Sequence, residues 1–149
     1  PETFVQHNQS LSLKGTLRGL HMQVRHPQAK LVRVLSGVIW DVAVDLRVGS
    51  PYFGKWTSVE LSAENFRQLF VPIGFAHGFL VTSEQAEVEY KCSDVYDPTG
   101  ELGVRWDDPQ IKVAWPLTGV PQLSPKDEKH PFLSAVMDRL PRYAEAPAR

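Results

Sequence analysis

The sequence has few of the features that mark secreted, membrane-bound or nucleic-acid-binding proteins. Cys92 is the only cysteine, so no disulfide can form within the chain and a reducing compartment is expected. No apolar run approaches the roughly 20 residues of a membrane-spanning helix, and no signal peptide is recognisable. The net charge of −1 offers no excess of positive charge to nucleic acid or an anionic membrane. We therefore expect a cytoplasmic protein that binds neither nucleic acid nor a membrane.

A chain of 149 residues with 42% hydrophobic residues is typical of one globular domain. Strand-like segments recur between turn residues. They lie at 4–6, 15–23, 31–35, 38–47, 56–61, 67–71, 78–82 and 87–92. The apolar spacing over 132–140 predicts one late helix, which begins after Pro131. Residues 1–149 are therefore predicted to form a single, mainly β domain: a sandwich, jelly roll or barrel with a short C-terminal helical segment.

The segment 38–47 has the clearest alternation of apolar and polar residues. Trp40, Val42 and Val44 share one face, whereas Asp41 and Asp45 share the other. This period predicts a strand with an apolar face toward the core and a polar face on the opposite side.

Two of the five histidines, His21 and His77, lie in strand-like segments. A polar side chain at such a position must face solvent, a partner or a cavity. A buried, hydrogen-bonded structural histidine is the ordinary alternative for either position. His7, His26 and His130 lack this context, and we expect their side chains to be solvated.

Lys30 and two tyrosines complete a set that suits proton transfer. The neutral imidazole of His21, with an ordinary pKa of about 6.5, is a fitting general base, and a carboxylate behind it would orient the ring. The Lys30 ammonium would stabilise an enolate oxygen, and a tyrosine could return the proton to the opposite face and so epimerise the carbon. Tyr90 and Tyr96 are the two candidates for this tyrosine. Neither is preferred at this point, since Tyr90 could equally be a core residue and Tyr96 is expected in a loop.

The stretch VPIGFAHGF at 71–79 resembles the second signature of the cupin superfamily, whose fold is a jelly-roll barrel. Such a barrel can hold one small ligand. Metal-binding cupins usually also have an H-x-H pair and a glutamate in their first signature. Here Gln23 stands where the second histidine would be, and 21–37 contains no glutamate. We therefore expect no metal, and since no GxGxxG follows a strand and no P-loop occurs, no other cofactor.

Five stretches follow one another between Phe4 and Asp127: FVQHNQSLSLKGTLRGLHMQ, QAKLVRVLSGVIWDVAVDLRVGSPYFGKW, LSAENFRQLFVPIGFAHGFLV, YKCSDVYDPTGELGVRWDDP and LSPKD. Together they resemble the dTDP-4-dehydrorhamnose 3,5-epimerase family, the metal-free cupin enzymes of the dTDP-L-rhamnose pathway. The resemblance implies a jelly-roll homodimer without a cofactor. It also implies an isomerase that inverts C3 and C5 of dTDP-4-dehydro-6-deoxy-D-glucose to give dTDP-4-dehydro-L-rhamnose.

The resemblance also implies roles for individual residues. The catalytic set would be His21 as base, Asp127 as the carboxylate paired with it, Lys30 near the keto oxygen and Tyr90 as general acid. Asp41 is a weaker candidate for the paired carboxylate. Tyr96 would stack on the thymine ring, and Arg18 and Lys126 would contact the diphosphate. The implied substrate contacts are Gln6, Asn8, Arg18, Lys30, His77, Tyr96, Glu101 and Lys126.

Family members usually have a further N-terminal segment before FVQ that reaches the dimer partner. This segment is absent from the sequence, which leaves open whether such a segment completes the nucleotide site and the dimer contact. Two alternatives stay open: a single-site 3- or 5-epimerase of a dTDP-4-keto-6-deoxysugar, and a non-catalytic sugar-nucleotide-binding cupin. A metal-dependent cupin oxygenase is a third alternative from another class.

Overall fold

A computed structural model describes residues 2–144 of the chain. Its strands are β1 (Gln6–Leu13), β2 (Leu17–Gln23), β3 (Lys30–Ser36), β4 (Val38–Asp45), β5 (Trp56–Ser62), β6 (Leu69–Val71), β7 (Phe75–Val81), β8 (Gln85–Cys92) and β9 (Glu101–Gly103). They form a four-stranded sheet in the order β1-β8-β3-β6 and a five-stranded sheet in the order β5-β4-β7-β2-β9. All neighbouring strands are antiparallel. The predicted mainly β fold of the jelly-roll type is confirmed.

Two strands differ from the prediction. The expected strand at 4–6 is displaced, because β1 begins at Gln6 and continues to Leu13. β1 is an edge strand that pairs only with β8 and has polar residues on both faces, so apolar periodicity does not reveal it. β9 lies in a stretch where the sequence predicts no strand. A strand of three residues is too short to produce a detectable alternation.

Two hydrophobic clusters lie on opposite faces of the five-stranded sheet. One occupies part of the space between the sheets, where Val32 and Val88 of the smaller sheet meet Ile39 and Phe79 of the larger one. The other lies on the opposite face of the five-stranded sheet, where that sheet packs against the C-terminal segment. The β4 face that carries Asp41 therefore looks into the interior between the sheets, so the polar face predicted for this strand is buried as well.

The expected helix over 132–140 is replaced by two short 3-10 helices, Leu133–Ala135 and Met137–Arg139. The segment lies between two prolines, and Leu140 is extended because a residue before proline disfavours the helical conformation. So short a segment cannot offset the cost of helix nucleation. None of the helices within residues 2–144 is long and apolar enough to cross a membrane. The apolar residues of the segment still pack against the five-stranded sheet through Leu133, Val136 and Leu140.

Candidate active site

A cavity of about 370 Å³ lies between the two sheets and has walls from both. Except for Asp41, the weaker candidate for the paired carboxylate, every site residue that the sequence suggested contributes to its lining. These residues are Gln6, Asn8, Arg18, His21, Lys30, His77, Tyr90, Tyr96, Glu101, Lys126 and Asp127.

An irregularity in β2 brings Arg18 and His21 to this one cavity. Side chains three residues apart on a regular strand point to opposite faces. The pairing of β2 with β7 shifts register between these two residues, as at a β-bulge, which re-aims a side chain. Gly19 between them has a φ of +110°, and a Cβ there would lie 2.5 Å from the carbonyl oxygen of His77. Glycine is therefore required at this position.

His21 faces the carboxylate of Asp127. Its Nε2 lies 3.4 Å from Oδ1 of Asp127, and 25% of the imidazole side chain remains exposed to the cavity. Burial lowers the pKa of His21, and the positive charge of Lys30 acts in the same direction, against the opposing effect of Asp127. A histidine with a lowered pKa is neutral at pH 7 and can accept a proton.

Asp127 is held by two further side chains. Ser124 Oγ donates to Oδ2 at 2.9 Å and accepts the Asp127 backbone N–H at 3.1 Å. Nε2 of His130 lies 3.1 Å from Oδ1, the oxygen that His21 also faces. Burial acts to raise the pKa of Asp127, but hydrogen bonds from His130 and His21 outweigh it and hold that pKa far below its usual range. Asp127 is therefore an ionised acceptor at neutral pH.

His130 is buried, and the expectation that it is solvated is wrong. Its side chain is 9% exposed, and its ring meets the His21 ring edge to face at 5.9 Å between centroids. The sequence does contain a signal, since His130 follows Asp127 by three residues and a helical turn places such residues side by side. His7 and His26 are half exposed, in line with the expectation.

Asp41 pairs with His77 and not with His21. Oδ1 of Asp41 lies 2.6 Å from Nε2 of His77, and both side chains are buried. In the β4–β7 pairing Asp41 is opposite Phe79, so its contact with His77 runs diagonally between neighbouring strands. Its second oxygen, Oδ2, is buried without a hydrogen-bond partner among the described residues. The preferred candidate Asp127, and not the weaker candidate Asp41, is therefore the carboxylate that lies next to His21.

Lys30 and Tyr90 line the opposite wall, on β3 and β8 of the four-stranded sheet. Nζ of Lys30 lies 5.7 Å from the centre of the Tyr90 ring. Burial lowers the pKa of Lys30 and raises the pKa of Tyr90, so the phenol holds its proton at neutral pH. Cys92 lies beside them with its thiol buried, and its sulfur accepts an N–H from Asn8 at 3.6 Å.

Tyr96, Glu101 and Lys126 form a network at the exposed edge of the cavity. Nζ of Lys126 donates to both carboxylate oxygens of Glu101, at 2.7 and 2.9 Å, and the Tyr96 hydroxyl donates to the same carboxylate. Tyr96 is 49% exposed, and its backbone N–H donates to Oε1 of Gln6 at 2.7 Å. An exposed ring beside a cation offers a stacking surface and a positive charge to an anionic aromatic ligand.

One group of side chains within residues 2–144 has the composition of a metal site. Ligand atoms of His21, Asp127 and His130 all lie within 4.8 Å of one another. This set does not use the H-x-H pair of the cupin signature. Both imidazoles already approach the same carboxylate oxygen, so hydrogen bonding accounts for their proximity. A metal-free site remains a prediction.

The fold agrees with that of known proteins that the chain resembles. The family model described as dTDP-4-dehydrorhamnose 3,5-epimerase matches residues 1–135. The dTDP-4-dehydrorhamnose 3,5-epimerase of Neisseria gonorrhoeae is 58% identical over 125 residues, which are 84% of this chain but only 38% of that protein. The dTDP-4-dehydrorhamnose 3-epimerase of Streptomyces niveus is 40% identical over 151 residues, covering 99% of this chain and 72% of that protein.

Among solved structures, the dTDP-6-deoxy-D-glucose-3,5-epimerase of Legionella pneumophila, in complex with dTDP-4-keto-L-rhamnose, superposes with a TM-score of 0.94. It is 51% identical and covers 96% of this chain and 77% of its own. Sequence, fold and comparisons lead to one conclusion: the chain belongs to the dTDP-4-dehydrorhamnose 3,5-epimerase family.

Proposed function

We propose that this protein epimerises dTDP-4-dehydro-6-deoxy-D-glucose at C3 and C5 to give dTDP-4-dehydro-L-rhamnose. The main support is that His21 and Tyr90 line one cavity from opposite sheets. A flat sugar enolate held between the sheets would meet an imidazole on one face and a phenol on the other. Removal of a proton from one face and delivery of a proton to the other inverts the carbon.

His21 is the proposed base. Because ionised Asp127 has no proton to donate, Nε2 of the neutral imidazole carries the N–H that faces it, and Nδ1 keeps the lone pair. The C4 ketone acidifies the hydrogens on both flanking carbons, so Nδ1 accepts a proton from C3 and from C5 in separate steps. Asp127 stabilises the imidazolium that forms each time.

Lys30 and Tyr90 act on the enolate from the other wall. The poorly hydrated Lys30 ammonium stabilises the negative charge on the C4 oxygen. Tyr90, which holds its proton at neutral pH, delivers that proton to carbon from the face opposite His21. Solvent then returns a proton to Tyr90 and removes one from His21, so the reaction consumes no net proton.

The nucleotide is proposed to lie along the exposed edge of the cavity. Tyr96 presents an exposed ring on which thymine can stack. Arg18 and Lys126 offer positive charge to the diphosphate. Within the cavity, Gln6, Asn8, His77 and Glu101 are the proposed polar contacts of the substrate.

The test is NMR of dTDP-4-keto-6-deoxyglucose incubated with the protein in D2O. We expect deuterium at both C3 and C5, and no exchange at either carbon in His21→Asn, which lacks the base. Deuterium at one carbon would identify a single-site epimerase, an activity named for the Streptomyces niveus relative. The greater similarity to a named 3,5-epimerase supports inversion at both carbons. Binding of dTDP without any exchange would indicate a non-catalytic binding protein.

A homodimer in the cytoplasm remains the proposed assembly and location. Support for self-association comes from β1, where the edge strand and its approach present Val5, Leu11 and Leu13 with about 60% of each residue exposed. Light scattering coupled to size-exclusion chromatography would test this, and a monomer at micromolar concentration would contradict it.

A further inference from the structure

We propose that His130 is a positioning residue for the base: it shares the Asp127 carboxylate with His21 and so limits how strongly that carboxylate binds the base. The inference rests on the proposed role of His21 as proton acceptor. Nε2 of His130 lies 3.1 Å from Oδ1 of Asp127, whereas Nε2 of His21 lies 3.4 Å from the same oxygen. In this structure the carboxylate is therefore hydrogen-bonded to His130, and the base lies slightly farther from the same oxygen.

The fold leaves a space beside His21 that the His130 ring fills. Gly103 of β9 is the direct partner of His21 in the β2–β9 pairing. A Cβ built on Gly103 would lie 2.2 Å from both Cε1 and Nδ1 of His130. The ring thus occupies the volume into which any other side chain at 103 would project, and it meets the His21 ring edge to face. This packing keeps His130 against the carboxylate and next to the base.

Sharing one oxygen has a consequence for the proton that His21 accepts. Because ionised Asp127 only accepts hydrogen bonds, both imidazoles direct an N–H to Oδ1, and each donor reduces the charge available to the other. The resting base is thereby kept neutral. Once His21 becomes an imidazolium, its full charge attracts the carboxylate away from His130.

Other charged and titratable groups also line the cavity around His21, and a change at 130 leaves them in place. They are Lys30 on β3, His77 on β7, Tyr90 on β8, Glu101 on β9 and Lys126 next to Asp127.

The test compares His130→Leu with His130→Gln. The two side chains have similar volumes, but only glutamine has an N–H donor at the reach of the imidazole Nε2. The His21 ring would be titrated by NMR, and the pH dependence of kcat/KM would be measured on the same samples. We expect His130→Leu to raise the pKa of His21 by about one unit and to move the acidic limb of the kcat/KM profile to higher pH by the same amount. In His130→Gln both the pKa and the profile should stay near those of the wild type.

Equal shifts in both variants would overturn the proposal, because ring packing and not N–H donation would then control the base. An unchanged His21 titration in His130→Leu would overturn it as well. If His130→Leu does not fold, His130→Phe keeps a planar ring without the donor and is expected to show the same upward shift.

Gly103→Ala supplies an independent variant, since its methyl group displaces the His130 ring without altering residue 130. We expect it to reproduce the shift of His130→Leu, and a wild-type titration would count against the proposal. The NMR titration needs no turnover, so it tests this inference even if the wild-type protein exchanges no substrate hydrogen, a result that would instead contradict the proposed function.

Discussion

Nζ of Lys30 lies 5.7 Å from the centre of the Tyr90 ring, so the lysine and the tyrosine share one wall of the cavity. Both side chains belong to the four-stranded sheet, whereas His21 belongs to the five-stranded sheet. The group that would stabilise the enolate and the group that would protonate it therefore face the base across the substrate. Each of them can be changed without touching the base, and the expected results differ.

Tyr90→Phe removes the proposed proton donor and keeps the ring. We expect kcat to fall by about two orders of magnitude or more, with little change in the affinity for dTDP. Because His21 remains, exchange of substrate hydrogen with D2O should continue faster than inversion. Parallel measurement of deuterium uptake and product formation would check this. A variant that loses dTDP affinity and retains kcat would make Tyr90 a wall of the cavity and not an acid.

Lys30→Met removes the proposed stabiliser of the enolate oxygen. We expect kcat/KM to fall by about two to three orders of magnitude, as when one oxyanion-stabilising group is lost. The methionine side chain fills a similar volume, so we expect the variant to fold. Circular dichroism and dTDP binding provide the control for folding. Turnover within a few fold of wild type would remove Lys30 from the mechanism.

The pH profile carries a separate prediction about Lys30. Burial and the Lys30 charge both lower the pKa of His21, and the neutral form is the active one. Activity of the wild type should therefore fall with decreasing pH only below the ordinary histidine pKa of about 6.5. Removal of the lysine charge should move this acidic limb to higher pH, and a move to lower pH would contradict the assignment of His21 as base.

Lys126→Met tests the diphosphate contact. We expect KM to rise by about tenfold or more with a smaller effect on kcat, because a surface cation that contacts the diphosphate, remote from the reacting carbons, binds ground state and transition state alike. Lys14→Met is the matched control, since Lys14 is equally exposed and forms an ion pair with Glu84 away from the cavity. Equal effects of both substitutions would point to general electrostatics and not to a binding site.

Removal of metal ions should leave the reaction intact. In the proposed mechanism Nδ1 of His21 accepts the proton directly, and Asp127 and His130 hydrogen-bond to each other. Treatment with EDTA followed by gel filtration is expected to leave kcat unchanged, with metal analysis of the same sample as control. Stoichiometric iron or nickel together with loss of activity would favour the oxygenase alternative.

Much of the site could be predicted from the sequence because the family motifs are local. Apart from Asp41, every residue that the motifs suggested lines the same cavity, including pairs as distant as Gln6 and Lys126. Most strands were also predictable, since Val38–Asp45 and its neighbours alternate with a clear period. The single late helix was not, because apolar spacing does not reveal that two prolines leave too short a segment for an α-helix.

The partners of the charged side chains needed the tertiary structure. Asp41 and Asp127 were both candidates behind the base, and only the sheet register assigns Asp41 to His77. His130 was expected in solvent, yet the space above Gly103 holds its ring next to His21. The spacing of Asp127 and His130 indicates only that these two lie side by side, and neither the Asp41–His77 pair nor the contact of His130 with His21 has a signature in the local sequence.

The sequence by itself determined the family, the mainly β class and the set of residues around the cavity, because strand periodicity and family motifs are properties of short, continuous segments. Only the tertiary structure decided which carboxylate faces which imidazole and that His21 and Tyr90 approach from opposite sheets. Those relationships depend on register, on the irregularity of β2 and on packing between segments far apart in the chain. Such long-range geometry follows from the whole fold and not from any one segment.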